Sequence, residues 1–119
     1  MAMGELESAV MAQLWDAGRP LTVREVHERL AGTRALAYTT VMTVLDRLAK
    51  KDMVIQQRDG RAFHYSPRTT REQLTAELML DALQDATDPD ARVAALQHFV
   101  GRVSPGEAAA IRAALDDTD

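Results

Sequence analysis

Leu6, Val10 and Leu14 recur every fourth residue, with Ala9 and Trp15 beside them. That spacing is the apolar stripe of an amphipathic helix from Glu5 to about Ala17. Gly18-Arg19-Pro20 stops it. Thr22-Val23-Arg24-Glu25 then reads as a capping box, opening a helix to about Ala31 with Val23, Val26 and Leu30 inward. A third helix starts near Tyr38 and runs to about Lys51. Its Val41, Val44, Leu45 and Leu48 fit the i, i+3, i+4, i+7 template. Thr39, Thr43, Asp46 and Lys50 fall on the opposite side, and Met42 and Arg47 fall on the two flanks.

The period then changes. Met53 to Gln57 and Ala62 to Tyr65 are short strand-like runs on either side of Arg58-Asp59-Gly60-Arg61. An Asp-Gly pair between two such runs predicts a tight hairpin turn at Asp59-Gly60, with Arg58 and Arg61 flanking it. A short strand at Leu21-Thr22 is placed to pair with this hairpin. Helix, turn, helix, link, helix and hairpin is the layout of a winged helix, a helix-turn-helix variant. The rest reads as three short helices, opened by Thr70, by Asp88 with Pro89, and by Ser104 with Pro105. The expected fold is mostly α with a small β-hairpin wing. It comprises a winged helix-turn-helix domain over residues 1–68 and a helical dimerisation domain over 69–119.

The three tail helices display Leu74, Leu78, Leu83, Leu96, Phe99, Ile111 and Leu115. Three helices of this size make a marginal core on their own. A second copy of the same segment is the simplest cover for so wide an apolar arc, hence a two-fold homodimer.

Composition sharpens the picture through its unevenness. The 119 residues carry a net charge of −4, which taken whole argues against a nucleic-acid partner. Residues 1–68, however, hold ten Lys and Arg against eight Asp and Glu, while residues 69–119 hold four against ten. The stretch 34–68 holds seven cations against three acids. The acid belongs to the tail, and the positive charge gathers on the third helix and the hairpin. With no cysteine there is no disulfide framework and no thiolate metal site. No apolar run approaches the roughly 18 residues of a membrane span, and the first residues lack a signal-peptide pattern. A cytoplasmic protein without membrane insertion is expected.

The candidate chemistry is recognition of double-stranded DNA. Tyr38, Thr39, Thr40 and Thr43 set short or hydroxyl-bearing side chains near the start of the third helix, where a backbone could approach base edges. Arg47, Lys50 and Lys51 follow as phosphate partners, with Arg58 and Arg61 on the hairpin. His27, His64 and His98 stand on separate elements without ligand spacing, so neither a metal site nor a cofactor is expected. No nucleophile elbow, zinc-protease, P-loop or dinucleotide motif is present, and an enzyme is not expected.

Ala37-Tyr38-Thr39-Thr40-Val41-Met42-Thr43-Val44-Leu45-Asp46-Arg47-Leu48-Ala49-Lys50-Lys51, followed by Gly60-Arg61 and Tyr65-Ser66-Pro67, resembles the penicillinase repressor family of BlaI and MecI type, and its actinobacterial branch in particular. Leu6-Glu7 to Leu14-Trp15 resembles that family's first helix, and Gln97 to Val100 with the Ser104–Leu115 helix its dimerisation segment. The resemblance implies a homodimeric repressor of β-lactamase and resistance genes on a palindromic operator. It implies base contacts by Thr39, Thr40 and Thr43, and backbone contacts by Arg47, Lys50 and Arg61. It further implies inactivation by proteolysis downstream of a membrane sensor-transducer protease, with His98-Phe99 at the matching cleavage position. The copper-responsive branch uses C-terminal cysteines, which this chain lacks. Two alternatives stay open: a winged-helix repressor released by a small-molecule ligand, and a winged-helix protein-interaction module that does not bind DNA.

Overall fold

The computed structural model describes residues 3–117. Its elements run α1 (Glu5–Ala17), β1 (Leu21–Thr22), α2 (Val23–Ala31), α3 (Tyr38–Lys50), β2 (Val54–Asp59), β3 (Ala62–Pro67), α4 (Arg71–Gln84), α5 (Pro89–Val100) and α6 (Pro105–Asp116). The described chain divides into two compact units, Met1–Leu78 and Met79–Asp119.

In the first unit α1, α2 and α3 pack around one core, closed by a three-stranded antiparallel sheet of order β1-β3-β2. Val10, Met11, Leu14, Leu21, Val26, Leu30, Val41, Val44, Leu45, Leu48, Val54 and Tyr65 are its buried members. All four inward positions expected on α3 are buried. On α1 the stripe is turned by one residue: Glu7, Val10, Met11 and Leu14 are buried, and Leu6 only packs alongside.

The caps set where the helices begin. Thr22 Oγ1 accepts from the Glu25 N–H at 3.2 Å, and Glu25 Oε1 accepts from the Thr22 N–H at 3.0 Å. This capping box starts α2 immediately after β1. Leu21 pairs with Tyr65 and Thr22 with His64, so the expected third strand is present. After α3, Asp52 adopts φ 64°. The Met53 N–H bonds to Leu48 O and the Asp52 N–H to Ala49 O. That is a Schellman closure with Asp in the left-handed position that glycine usually fills.

The hairpin differs from expectation by one residue. Asp59 pairs with Ala62, so the two-residue turn is Gly60-Arg61 rather than Asp59-Gly60. Gly60 takes φ 65°, the left-handed first position that favours glycine. Arg61 therefore sits in the turn itself, and Arg58 lies on β2 opposite Phe63.

α4 is rooted in the first unit. Trp15 Nε1 donates to Thr69 O at 2.9 Å, Arg71 pairs with Asp16 at 3.3 Å, and the Arg71 guanidinium lies 5.2 Å from the Trp15 ring centroid. In the second unit, Asp88 and Ser104 cap α5 and α6 through Ala91 N and Glu107 N, as the capping signals predict. No helix among the described residues is long and apolar enough to cross a membrane.

Candidate DNA-binding surface

α3 turns its apolar side to the core and its polar side outward. Thr39 and Thr43 are exposed, whereas Thr40 is half-buried on a flank. Thr43 Oγ1 donates to Thr39 O at 2.9 Å, and its oxygen lone pairs remain able to accept. Tyr38 opens the helix at 45% exposure, its ring edge-on to His27 at 5.9 Å. His27 Nε2 in turn donates to Leu36 O at 2.7 Å. Because a carbonyl only accepts, the proton sits on Nε2. The link before α3 is thus tied to α2, and the start of α3 is held in place.

The cations divide into two kinds. Lys50 pairs with Asp46 at 3.2 Å, Lys51 with Glu7 at 2.8 Å, Arg34 with Glu5 at 3.0 Å and Arg68 with Asp52 at 2.8 Å. Among the described residues, four of the seven cations in 34–68 form ion pairs with carboxylates, which leaves Arg47, Arg58 and Arg61. Arg58 donates from Nε to Gly60 O at 3.2 Å and lies 5.7 Å from the Phe63 centroid. Arg47 and Arg61 are exposed and are the cations most open to a phosphate. Lys51 is engaged differently: its contact holds the Glu7 carboxyl below the ordinary glutamate value, helped by the Gly4 N–H and opposed by burial.

A groove of about 500 Å³ is lined by Pro20, Gln57, Arg58, Asp59 and His64. His64 Nδ1 is buried without a hydrogen-bond partner. Among the described residues no group of three or more His, Asp or Glu is placed to hold a metal.

The tail positions behave differently from one another. Leu74 is 6% exposed in the single chain. Leu96 and Phe99 are exposed at 44% and 45%, beside Val93 and Val100, and Leu115 at 68%. Leu78, Leu83 and Ile111 are half-buried, and His98 is exposed. Buried Glu7 and Met11 and the Trp15–Thr69 bond lie outside the positions expected from the sequence. The first two were detectable, because Glu7, Val10, Met11 and Leu14 form an i, i+3, i+4, i+7 set.

Three helices, a three-stranded sheet and a hairpin carrying arginine at its tip define a winged helix-turn-helix protein. A penicillinase repressor family profile matches residues 3–117. The chain belongs to that family and is a BlaI-type transcriptional repressor, not an enzyme. It is 56% identical to the transcriptional regulator BlaI of Mycobacterium tuberculosis over 117 residues, covering 98% of this chain and 85% of the relative. The monomeric form of Bacillus licheniformis BlaI, solved in complex with the blaP half-operator, is 28% identical with a TM-score of 0.51. That match covers 60% of this chain and 85% of the other. A DNA-binding domain of the repressor BlaI gives 29% identity and a TM-score of 0.53 over 58% and 83% of the two chains.

Proposed function

We propose that this chain is a homodimeric, cytoplasmic DNA-binding repressor of β-lactam-responsive genes. It binds a palindromic operator and is inactivated by proteolysis downstream of a membrane sensor. The observation that carries DNA binding is the outward face of α3, where Thr39 and Thr43 stand beside Arg47, with Arg61 at the wing tip. Hydroxyls near the helix start suit base edges, and the two arginines suit the phosphates on either side of the groove. Tyr38, Thr40, Lys50, Lys51 and Arg58 complete the surface at its margins. The half-operator complex of the B. licheniformis relative supports the same use of this fold.

Dimerisation is supported by Leu96, Phe99 and Leu115, which a lone chain leaves in water. Leu78, Leu83 and Ile111 add to the same apolar set. Linking two winged units raises the effective concentration of the second at its half-site. A cut at His98-Phe99 would divide α5 and remove that gain.

Footprinting and gel shifts on the DNA upstream of its own gene test the reading. The expected result is a two-fold symmetric footprint, with half-sites about one helical turn apart, that weakens with salt. Absence of a shift at low salt would favour the protein-interaction reading. Release of DNA by a β-lactam without cleavage would favour a directly bound ligand.

A further inference from the structure

Two large apolar side chains stand exposed on α3 outside the core: Tyr38 and, at 43%, Met42. Four residues apart, they lie one above the other along one edge of the helix. That edge borders the face carrying Thr39 and Thr43. Tyr38 has a reason of its own to be there, since its ring meets His27. Met42 has no polar group to present to water and is not among the residues packed against the core. Its neighbours on the outward side are hydroxyls and an Asp46–Lys50 pair, whose charges offset one another.

In the major groove the base edges present polar groups with one apolar exception, the C5 methyl of thymine. An unbranched thioether side chain adapts well to such a contact. We propose that Met42 reads a thymine methyl group, which makes it a specificity-determining residue beside Thr39 and Thr43. The inference rests on the DNA-binding reading above and adds to it an apolar component that none of the hydroxyl or cationic residues supplies.

The test uses the full chain and duplexes of its footprinted site in which each thymine in turn is replaced by deoxyuridine, which removes only the methyl group. One position in each half-site should weaken the unaltered protein about four-fold, as expected for one buried methyl. Met42→Ala and Met42→Gln should bind thymine and deoxyuridine equally there, and Met42→Leu should keep the discrimination. Met42 is exposed, so all three variants should melt like the parent. The proposal fails if no deoxyuridine duplex binds more weakly, or if Met42→Ala keeps the same sensitivity at the same positions. In both cases the footprint itself persists. Loss of any footprint for the unaltered protein at low salt would instead overturn the DNA-binding reading, and the proposal with it.

Discussion

Glu7 is a carboxylate whose side chain is only 9% exposed, held by the Lys51 ammonium and the Gly4 N–H. Its pKa is lowered in the folded chain, chiefly by the Lys51 hydrogen bond. A depressed carboxylate stabilises the fold above its unfolded value and loses that contribution as pH falls through the folded value. Thermal melts from neutral pH downward should therefore show an acid-side loss of stability that shrinks in Glu7→Gln. Lys51→Ala should cost about 1–2 kcal/mol at neutral pH, because it leaves a buried charge with one donor fewer. The figure sits at the low end because Lys51 itself is 42% exposed. This residue was readable from spacing but hidden by its type: an acid in the first turn of a helix ordinarily means a solvated dipole partner. On the outward face of α3, Thr43→Ala should weaken specific binding by about 1 kcal/mol and leave scrambled DNA unaffected. Arg61→Ala should weaken both alike and reduce the salt slope by about 1, as read by titration at several salt concentrations.

Four of the described helices, α2, α4, α5 and α6, begin where side-chain caps say, whereas α1 and α3 start without one. Thr22, Thr70, Asp88 and Ser104 mark helix starts in the sequence, and each accepts the expected N–H. The end of α3 carries no such mark, because Asp52 occupies the left-handed position without being glycine. Asp52→Gly should be more stable than Asp52→Ala by about 1 kcal/mol in chemical denaturation. Both variants lose the Arg68 pair, so their difference isolates the backbone term. The hairpin teaches a related lesson. A single left-handed residue is compatible with a turn centred on either side of Gly60, and local signals do not separate the two registers. The pairing of Val54 with Pro67, Gln56 with Tyr65 and Asp59 with Ala62 does so. Gln56 Nε2 donates to Tyr65 Oη at 2.8 Å across that pairing, a contact between residues that nothing in the local pattern links.

Across the whole molecule, the apparent positive charge of the first half is largely internal currency, since four of the seven cations in 34–68 face carboxylates. The net charge of the stretch 34–68 overstates the cations left open on it, because ion pairing is a three-dimensional fact. Few open cations predict modest non-specific affinity, so occupancy should depend on joining two winged units. If the chain forms the proposed homodimer, Leu96→Asp, which puts a charge on the exposed face of α5, should raise its dissociation constant at least about ten-fold in sedimentation. It should lower affinity for a full palindrome far more than for a single half-site. The division into Met1–Leu78 and Met79–Asp119 also has a spectroscopic side. The one tryptophan, Trp15, and both tyrosines, Tyr38 and Tyr65, lie in the first unit, and Phe99 is the only phenylalanine, tyrosine or tryptophan of the second. Fluorescence and near-ultraviolet signals thus report on the winged unit, whereas far-ultraviolet dichroism weighs the helices of both. Coincident melting curves would mark the chain as one cooperative folding unit, and curves that separate would time the loss of each unit in a label-free sample.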